Sequence, residues 1–363
     1  MSTAPVIEQA ASQGQPSVKW WSKLALAGVA VLLVFGILEL GARVYAGVAS
    51  EERLIVADET VGWRLIPNAR KLYRKETQPY FVSINSKGWR DVEHSYAKPA
   101  GTFRIVVIGD SFVFGAGGVE AGDRFSDLLG RSAKNIEVIN MGVPGYGADQ
   151  EYQVLKDEAL KYHPDLVLLC AFYNDFSESF ETINPSIGRP KGYFSLDSDQ
   201  LVFHPPHFSV FYRLSQYSYV LGVADLALSK ISGTYWQSQH REHWVMHQRQ
   251  RRNTFKQIYR SADQLCRQRG IPFVLVYLPF QQQTISMVIQ HVMSELAASD
   301  GLRTLDLMDT MRQADAAQTA YFQHDIHFNE HGNQVVAQAL VQYLRANQLL
   351  PPSAPQAQAN LQP

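Results

Sequence analysis

Five short apolar runs set the architecture of this chain: "RIVVIG" (104–109), "IEVIN" (136–140), "LVLLC" (166–170), "IPFVLVYL" (271–278) and "RTLDL" (303–307). They are rich in Val, Ile and Leu and do not alternate with polar residues. That is the pattern of strands buried on both faces, as in a parallel sheet covered by helices. Helical patterns lie between the runs. "ADQEYQVLKDEALKYH" sets Tyr152, Leu155, Ala159 and Tyr162 on one face. "RQRRNTFKQIYRSADQLCRQRG" stops at Gly270, and "HGNQVVAQALVQYLRANQLL" closes the series. Strand, helix, strand at this spacing predicts an α/β fold, a three-layer α/β/α doubly wound parallel sheet.

Upstream of the runs the chain changes character. Residues 1–18 are polar and small, which predicts a disordered tail. Then come Lys19, Trp20, Trp21 and Lys23, followed by "LALAGVAVLLVFGIL" without a charge. From Leu24 to Ala42 only Glu39 is charged; as a helix this stretch spans roughly 28 Å, about one hydrocarbon core. Lysines beside tryptophans suit a cytoplasmic, interfacial anchor, and Glu39 can pair with Arg43 one turn on. Residues 19–48 are therefore expected to be an uncleaved signal anchor, with the remainder periplasmic or otherwise extracytoplasmic. A cleaved signal peptide is the competing reading, since "VYA" (44–46) and "GVA" (47–49) offer small residues at cleavage spacing. Both readings put everything after residue 50 outside the cytoplasm. "LELGARVY" could mark a helix partner in the membrane, although a single anchor suffices to explain it.

Residues 51–100 are short, polar and aromatic, with a strand-like "YFVSI" and turn chemistry at Asn85-Ser86-Lys87-Gly88; they predict a small β-rich extension. Residues 101–348 form the α/β domain, interrupted at 176–240 by an insertion rich in Pro, Gly, Asp and aromatics. This insertion is far longer than an ordinary connection, so it reads as a lid or substrate loop in which Tyr193, Phe194, Phe203 and Phe208 can pack. Residues 349–363 read as a disordered tail. The formal net charge of -1 implies no nucleic-acid partner, and the run Arg249-Gln250-Arg251-Arg252 reads as a solvated helix face. Cys170 and Cys266 could pair in an oxidising compartment; the plainer expectation is two unpaired thiols.

In doubly wound sheets ligands gather at the carboxyl ends of the strands, so the residues following each run carry the chemistry. The first run ends in Gly109-Asp110-Ser111 and the second in Asn140-Met141-Gly142-Val143-Pro144-Gly145. The third leads to Phe172-Tyr173-Asn174-Asp175, and after the fifth comes "HDIHFNEHGN" with Asp325, His327 and His331. A serine, glycine turns, an asparagine amide and an Asp/His pair on one rim can perform acyl transfer. The histidine would take the serine proton and the aspartate would hold its tautomer. Backbone N–H groups of Ser111 and Gly145, with the Asn174 side chain, would bind the oxyanion.

These blocks resemble those of the SGNH (GDSL-type) esterases and acylhydrolases. "VVIGDSFVFG" resembles the first block and implies Ser111 as nucleophile; "VINMGVPGYG" implies Gly145 and "FYNDF" implies Asn174 in the oxyanion hole. "DIHFNEHG" implies Asp325 and His327 as the remaining catalytic residues. The resemblance spans about two-thirds of the chain and implies the flavodoxin-like fold of that family in a bacterial membrane-anchored member. Two departures stand out: Phe172 where the third block usually has glycine, and Asp325-Ile326-His327 where the last usually reads Asp-x-x-His. One-residue spacings are familiar among membrane-associated members, which leaves His324 and His331 as weaker candidates.

Other chemistries fit less well. A serine after a strand is often a helix cap, and Asp110 then reads as a support for the turn. No Walker lysine follows the glycines, "GAGGVEAG" only echoes a dinucleotide fingerprint, and Gly-x-Ser-x-Gly is absent. His324, His327 and His331, or His243 and His247, could suggest zinc, but no HExxH motif occurs and neither metal nor cofactor is expected. The expected function is a serine esterase acting on an ester or on an O-acylated (acetylated) extracytoplasmic glycan or lipid. O-acetyl transfer to exported polysaccharide is the first alternative, and a catalytically idle polysaccharide-binding or assembly protein the second.

Overall fold

A computed structural model describes residues 19–48, 54–73, 79–208, 210–225, 227–228, 248–281, 283, 287–317 and 319–351. The expected tails at 1–18 and 352–363, the end of the insertion, and the His243/His247 pair lie outside the described residues.

The five apolar runs become β5 (Phe103–Gly109), β6 (Ile136–Gly142), β7 (Leu166–Ala171), β10 (Phe273–Tyr277) and β11 (Arg303–Asp306). They pair in parallel in the order β6-β5-β7-β10-β11, so the first strand lies inside the sheet and the chain reverses direction beside it. Every residue of β7 and β10 is buried, because both faces are covered. Along β5, Val106 and Ile108 face one helical layer while Ile105 and Val107 face the other. The first layer contains α4 (Ala148–Asp157), α7 (Gln248–Arg267) and α8 (Val288–Asp300). The second contains α2 (Ser111–Phe114), α3 (Phe125–Gly130), α9 (Met308–Ala314) and α10 (Glu330–Ala346). The chain is thus the expected three-layer doubly wound sheet. Packing continues past residue 348, with Leu349 buried and Leu350 against the second layer.

The 148–163 helix differs from its periodic reading. It breaks at Glu158, and residues 159–162 continue as a 3₁₀ turn that ends at left-handed His163. It also buries Asp149, Gln150, Glu151 and Gln153, while Tyr152 is only half-buried. An apolar stripe cannot anticipate this, because the buried acids are compensated by a residue far along the chain (below). Cys170 and Cys266 are unpaired and buried on opposite sides of the sheet. Within the basic run, Arg251 and Arg252 face Glu181 and Glu295.

The β-rich segment folds as two hairpins, β1 (Ile55–Asp58) with β2 (Gly62–Leu65) and β3 (Arg70–Tyr73) with β4 (Tyr80–Ser83). Trp63, Tyr80 and Val82 are buried in the first layer. Trp63 Nε1 donates to Pro144 O (3.3 Å), and Tyr146 Oη donates back to Trp63 O (2.6 Å). Beyond the hairpins, buried Arg90 donates to the carbonyls of Phe114 (2.9 Å), Gly115 (2.8 Å) and Val119 (2.6 Å). The insertion carries α5 (Asp175–Glu178), the hairpin β8 (Tyr193–Asp197) with β9 (Gln200–His204), α6 (Val210–Ser215) and a helical turn at 219–225. Phe194 is buried against Tyr152 and Phe203, so this hairpin is packed onto α4. At the other end, α1 (Trp20–Val48) contains a stretch, Trp20–Tyr45, long and apolar enough to cross a membrane, its most apolar part having a mean hydropathy of 2.4.

Candidate active site

β5 ends at Gly109, where a Cβ would come within 2.4 Å of Val113 Cγ2, so the chain can turn sharply into α2. Asp110, not Ser111, caps this helix: its Oδ1 accepts the Phe112 N–H (2.9 Å). Ser111 is therefore not needed as a cap, and its hydroxyl stands half-exposed at the first position of α2. Two neighbours hold the short helix. Asn140 Nδ2 donates to Val113 O (2.6 Å), and Gly142 lets β6 approach, since a Cβ there would lie 2.2 Å from Phe114 N.

Across the rim, His327 Nε2 lies 2.7 Å from Ser111 Oγ, and His327 Nδ1 is hydrogen-bonded to Asp325 Oδ1. The same carboxylate oxygen accepts the His327 backbone N–H (3.1 Å), which a single intervening residue makes possible. The loop is closed by Phe322 N to His327 O (3.1 Å) and by a bridge between Tyr321 and Phe328. Asn329 caps α10 through Gly332 N (3.0 Å) and also donates to Tyr321 O (2.9 Å). Asn333 accepts the Phe125 N–H (2.9 Å), tying the histidine loop to α3. The Phe112 ring lies 4.8 Å from the imidazole. His324 and His331 are exposed.

The proposed anion donors follow β6 and β7, the strands on either side of β5. Gly145 has φ +78°, where side chains are disfavoured, and a Cβ would meet Ile187 Cδ1 at 2.2 Å. Its carbonyl accepts from buried Asn184 Nδ2 (2.8 Å), which fixes the peptide. Among the described residues, neither the Gly145 N–H, nor the Ser111 N–H, nor either end of the Asn174 amide has a hydrogen-bond partner, and Asn174 Oδ1 is buried. A buried polar group left unpaired, as Asn174 Oδ1 is, costs about 1–3 kcal/mol, so its retention at the carboxyl rim of the sheet suits a bound ligand. Phe172, the departure from glycine in the third block, packs on Phe112 (4.2 Å) and Tyr173 (4.7 Å), and Tyr173 on Phe280 (5.2 Å), forming an aromatic wall.

Behind the serine lies a group of fully or nearly buried acids that the sequence does not announce: Asp110, Asp149, Glu151, Asp175 and Glu178. Burial pushes the Asp110 carboxyl up to about 7, against the pull of the Phe112 N–H and the His327 charge. Burial first, then neighbouring carboxylates, raises Glu151 and Asp175 well above the ordinary range. Asp149 is raised as well, with Lys191 opposing. Lys191, itself buried, donates to Asp149 Oδ2 and to Glu178 O (2.8 Å). Glu178 accepts from Asn184 Nδ2 (2.7 Å) and Ser186 Oγ (2.6 Å). The insertion thus braces the rim from below through Asn184 and Lys191. Sequence reasoning missed both, because their partners lie in other elements.

Residues 107–335, well over half of the chain, match the GDSL-like Lipase/Acylhydrolase family. Solved structures that are similar include a member of the lipolytic protein G-D-S-L family from Veillonella parvula (14% identity, 67% of this chain and 99% of that one, TM-score 0.40). The lipase/acylhydrolase from Enterococcus faecalis is similar at 16% identity (68% and 97% covered, TM-score 0.39). The acetyl xylan esterase AlAXEase is similar at 15% identity (67% and 100% covered, TM-score 0.41). No curated protein matches the sequence. The chain belongs to the GDSL-like lipase/acylhydrolase family and is a hydrolase of ester bonds.

Proposed function

We propose that this chain is a serine esterase anchored in a membrane by residues 19–48, working outside the cytoplasm on O-acyl, foremost O-acetyl, groups of a saccharide or lipid. Residues 51–100 would form its extension, and residues 101–348, with the 176–240 insertion, its hydrolase domain. The observation that carries the chemistry is the continuous hydrogen-bonded series Ser111 Oγ, His327, Asp325. In this reading Ser111 Oγ attacks the ester carbonyl while His327 Nε2 takes its proton, and Asp325 stabilises the imidazolium and keeps Nδ1 protonated. The tetrahedral oxyanion sits on the Ser111 and Gly145 N–H groups and the Asn174 amide. Collapse breaks the ester bond, with His327 protonating the leaving alcohol. A water then repeats the sequence on the acyl-serine, releasing the acid and restoring Ser111.

A fluorophosphonate should phosphonylate the wild-type chain once, at the Ser111 peptide in a mass-spectrometric map; modification elsewhere overturns the assignment. Incubation with O-acetylated oligosaccharides and short-chain model esters should release acetate. If acetylated sugar accumulates at the expense of acetate, the enzyme passes its acyl group to hydroxyls instead; an inert protein supports the idle binding reading.

Gly145→Ala tests the oxyanion role. The new methyl clashes with Ile187 and forces a left-handed alanine. The kcat is expected to fall on the order of 10²–10³-fold, the usual effect of losing one oxyanion donor, with KM nearly unchanged. Steady-state kinetics on a p-nitrophenyl ester would read this split.

A further inference from the structure

The apolar helix does not stand free of the rest of the chain. Glu39 and Arg43 lie within its Trp20–Tyr45 stretch, and both are bound by one short part of the insertion. Glu39 accepts from Ser218 Oγ (2.7 Å), Tyr219 N (3.0 Å) and Val220 N (3.1 Å), besides Arg43 Nε (2.9 Å). Arg43 donates to Tyr217 O (3.0 Å), and its guanidinium lies 5.7 Å from the Tyr219 ring. A carboxylate inside an apolar span is costly unless it is paired and hydrogen-bonded, and here the 217–220 turn supplies those partners.

This contact fixes the height of the turn. Glu39 stands fifteen residues past Leu24, about 22 Å along the roughly 28 Å otherwise uncharged stretch, so whatever binds it lies within one helical turn of the far boundary of the hydrocarbon layer. The side chains exposed along this part of the insertion are mostly apolar: Tyr217 is 81% exposed, Val210 75% and Val223 68%, with Leu214 and Leu228 also more than half exposed. The exposed cation among them, Arg213, is paired with Glu59 (2.7 Å). An exposed tyrosine among exposed aliphatic side chains is the composition of an interfacial membrane segment.

We propose that residues 210–225, with 227 and 228, form a second membrane contact, lying in the outer headgroup region of the same bilayer that α1 crosses. The proposal rests on the anchor reading above, and its occupant is lipid. Continuity with the spanning helix argues for lipid over a protein partner, because exposed Tyr217 belongs to the same turn that binds Glu39 and Arg43. The contact also reaches the site: Arg189 lies 5.6 Å from the Tyr212 ring of α6, and Ile187, two residues earlier, covers Gly145. The esterase cleft is thereby held at a fixed attitude close to the membrane.

The test uses the full chain in nanodiscs of phosphatidylethanolamine and phosphatidylglycerol, with nitroxides placed singly on Leu33→Cys, Leu214→Cys, Tyr217→Cys and Ser198→Cys. Cys170 and Cys266 stay native, since both are buried. Power saturation against oxygen and a nickel chelate reads depth. Leu33→Cys should report hydrocarbon, Ser198→Cys water, and the 214 and 217 labels about 5–10 Å inside the headgroup boundary. A deep label at 33 with aqueous labels at 214 and 217 overturns the proposal and leaves the anchor intact. Spin–spin broadening at 214 and 217 overturns it in favour of a second copy of the chain. An aqueous label at 33 removes the anchor reading and the proposal with it.

Discussion

Ser111→Ala is expected to lower kcat on the order of 10⁶-fold, and Asp325→Asn about 10⁴-fold, with both chains folded as the wild type. The two numbers differ because the residues act at different removes from the carbonyl. Without the Ser111 hydroxyl there is no acyl-enzyme, and only the proposed anion donors, the backbone N–H groups of residues 111 and 145 and the Asn174 amide, continue to favour attack by water. With asparagine at 325, Ser111 and His327 remain 2.7 Å apart, but the amide can present an N–H to Nδ1 and stabilise the wrong tautomer. The double variant should be little worse than Ser111→Ala alone, since residues acting as a unit are strongly non-additive. Steady-state rates with a p-nitrophenyl ester, alongside circular dichroism, would measure this. A Ser111→Ala chain retaining a tenth of the wild-type rate would remove the serine from the mechanism.

The second large effect concerns stability. Lys191→Met should destabilise the fold by about 3–5 kcal/mol, the usual cost of stripping one partner from a buried ion pair. Lys191 is the cation that meets Asp149, and Asp110, Glu151 and Asp175 lie in the same interior. These four carboxyls have folded pKa values raised by burial. A raised carboxyl holds its proton longer in the folded than in the unfolded chain, so its contribution is complete below the ordinary value. That contribution is lost as pH rises through the folded one. For Asp110 that window runs from 3.8 to about 7. His94, raised by Asp91 and Glu137 against its own burial, acts in the same direction. The melting temperature of the wild type should therefore fall between pH 5 and pH 8. Lys191→Met should steepen that fall, because the lysine opposes the rise at Asp149. Calorimetric scans of both chains at the two pH values would check this; a variant equally destabilised at both would mean that the lysine acts through packing alone.

How far the sequence reveals all this depends on the range of the interactions. The sheet was legible because burial on both faces writes itself into consecutive residues, as in Leu166–Ala171. The Ser111 turn, the two glycine turns and the Asp325/His327 loop were legible because each is local and the blocks come in a recognisable order. Asn329 could have been found from the Asn-x-x-Gly spacing ahead of a periodic helix, a capping signal. Asn184 and Lys191 could not, since they themselves stand in loops without periodicity and meet partners 39 and 42 residues away. Glu151 escaped for a related reason: it borders the apolar face of its helix, but the periodicity does not say that a carboxylate there is completely buried.

Arg90 bears on where the enzyme, as a working unit, begins. Its guanidinium gathers the carbonyls of Phe114, Gly115 and Val119, the backbone leaving α2, while Trp63 and Tyr146 clasp the loop that presents Gly145. Trimming at residue 101, the border suggested by composition, would uncap three buried carbonyls beside the serine and release the glycine turn. The minimal catalyst therefore reaches back at least to the first hairpin, and any ancestral or engineered shortening of this chain must carry those hairpins with it.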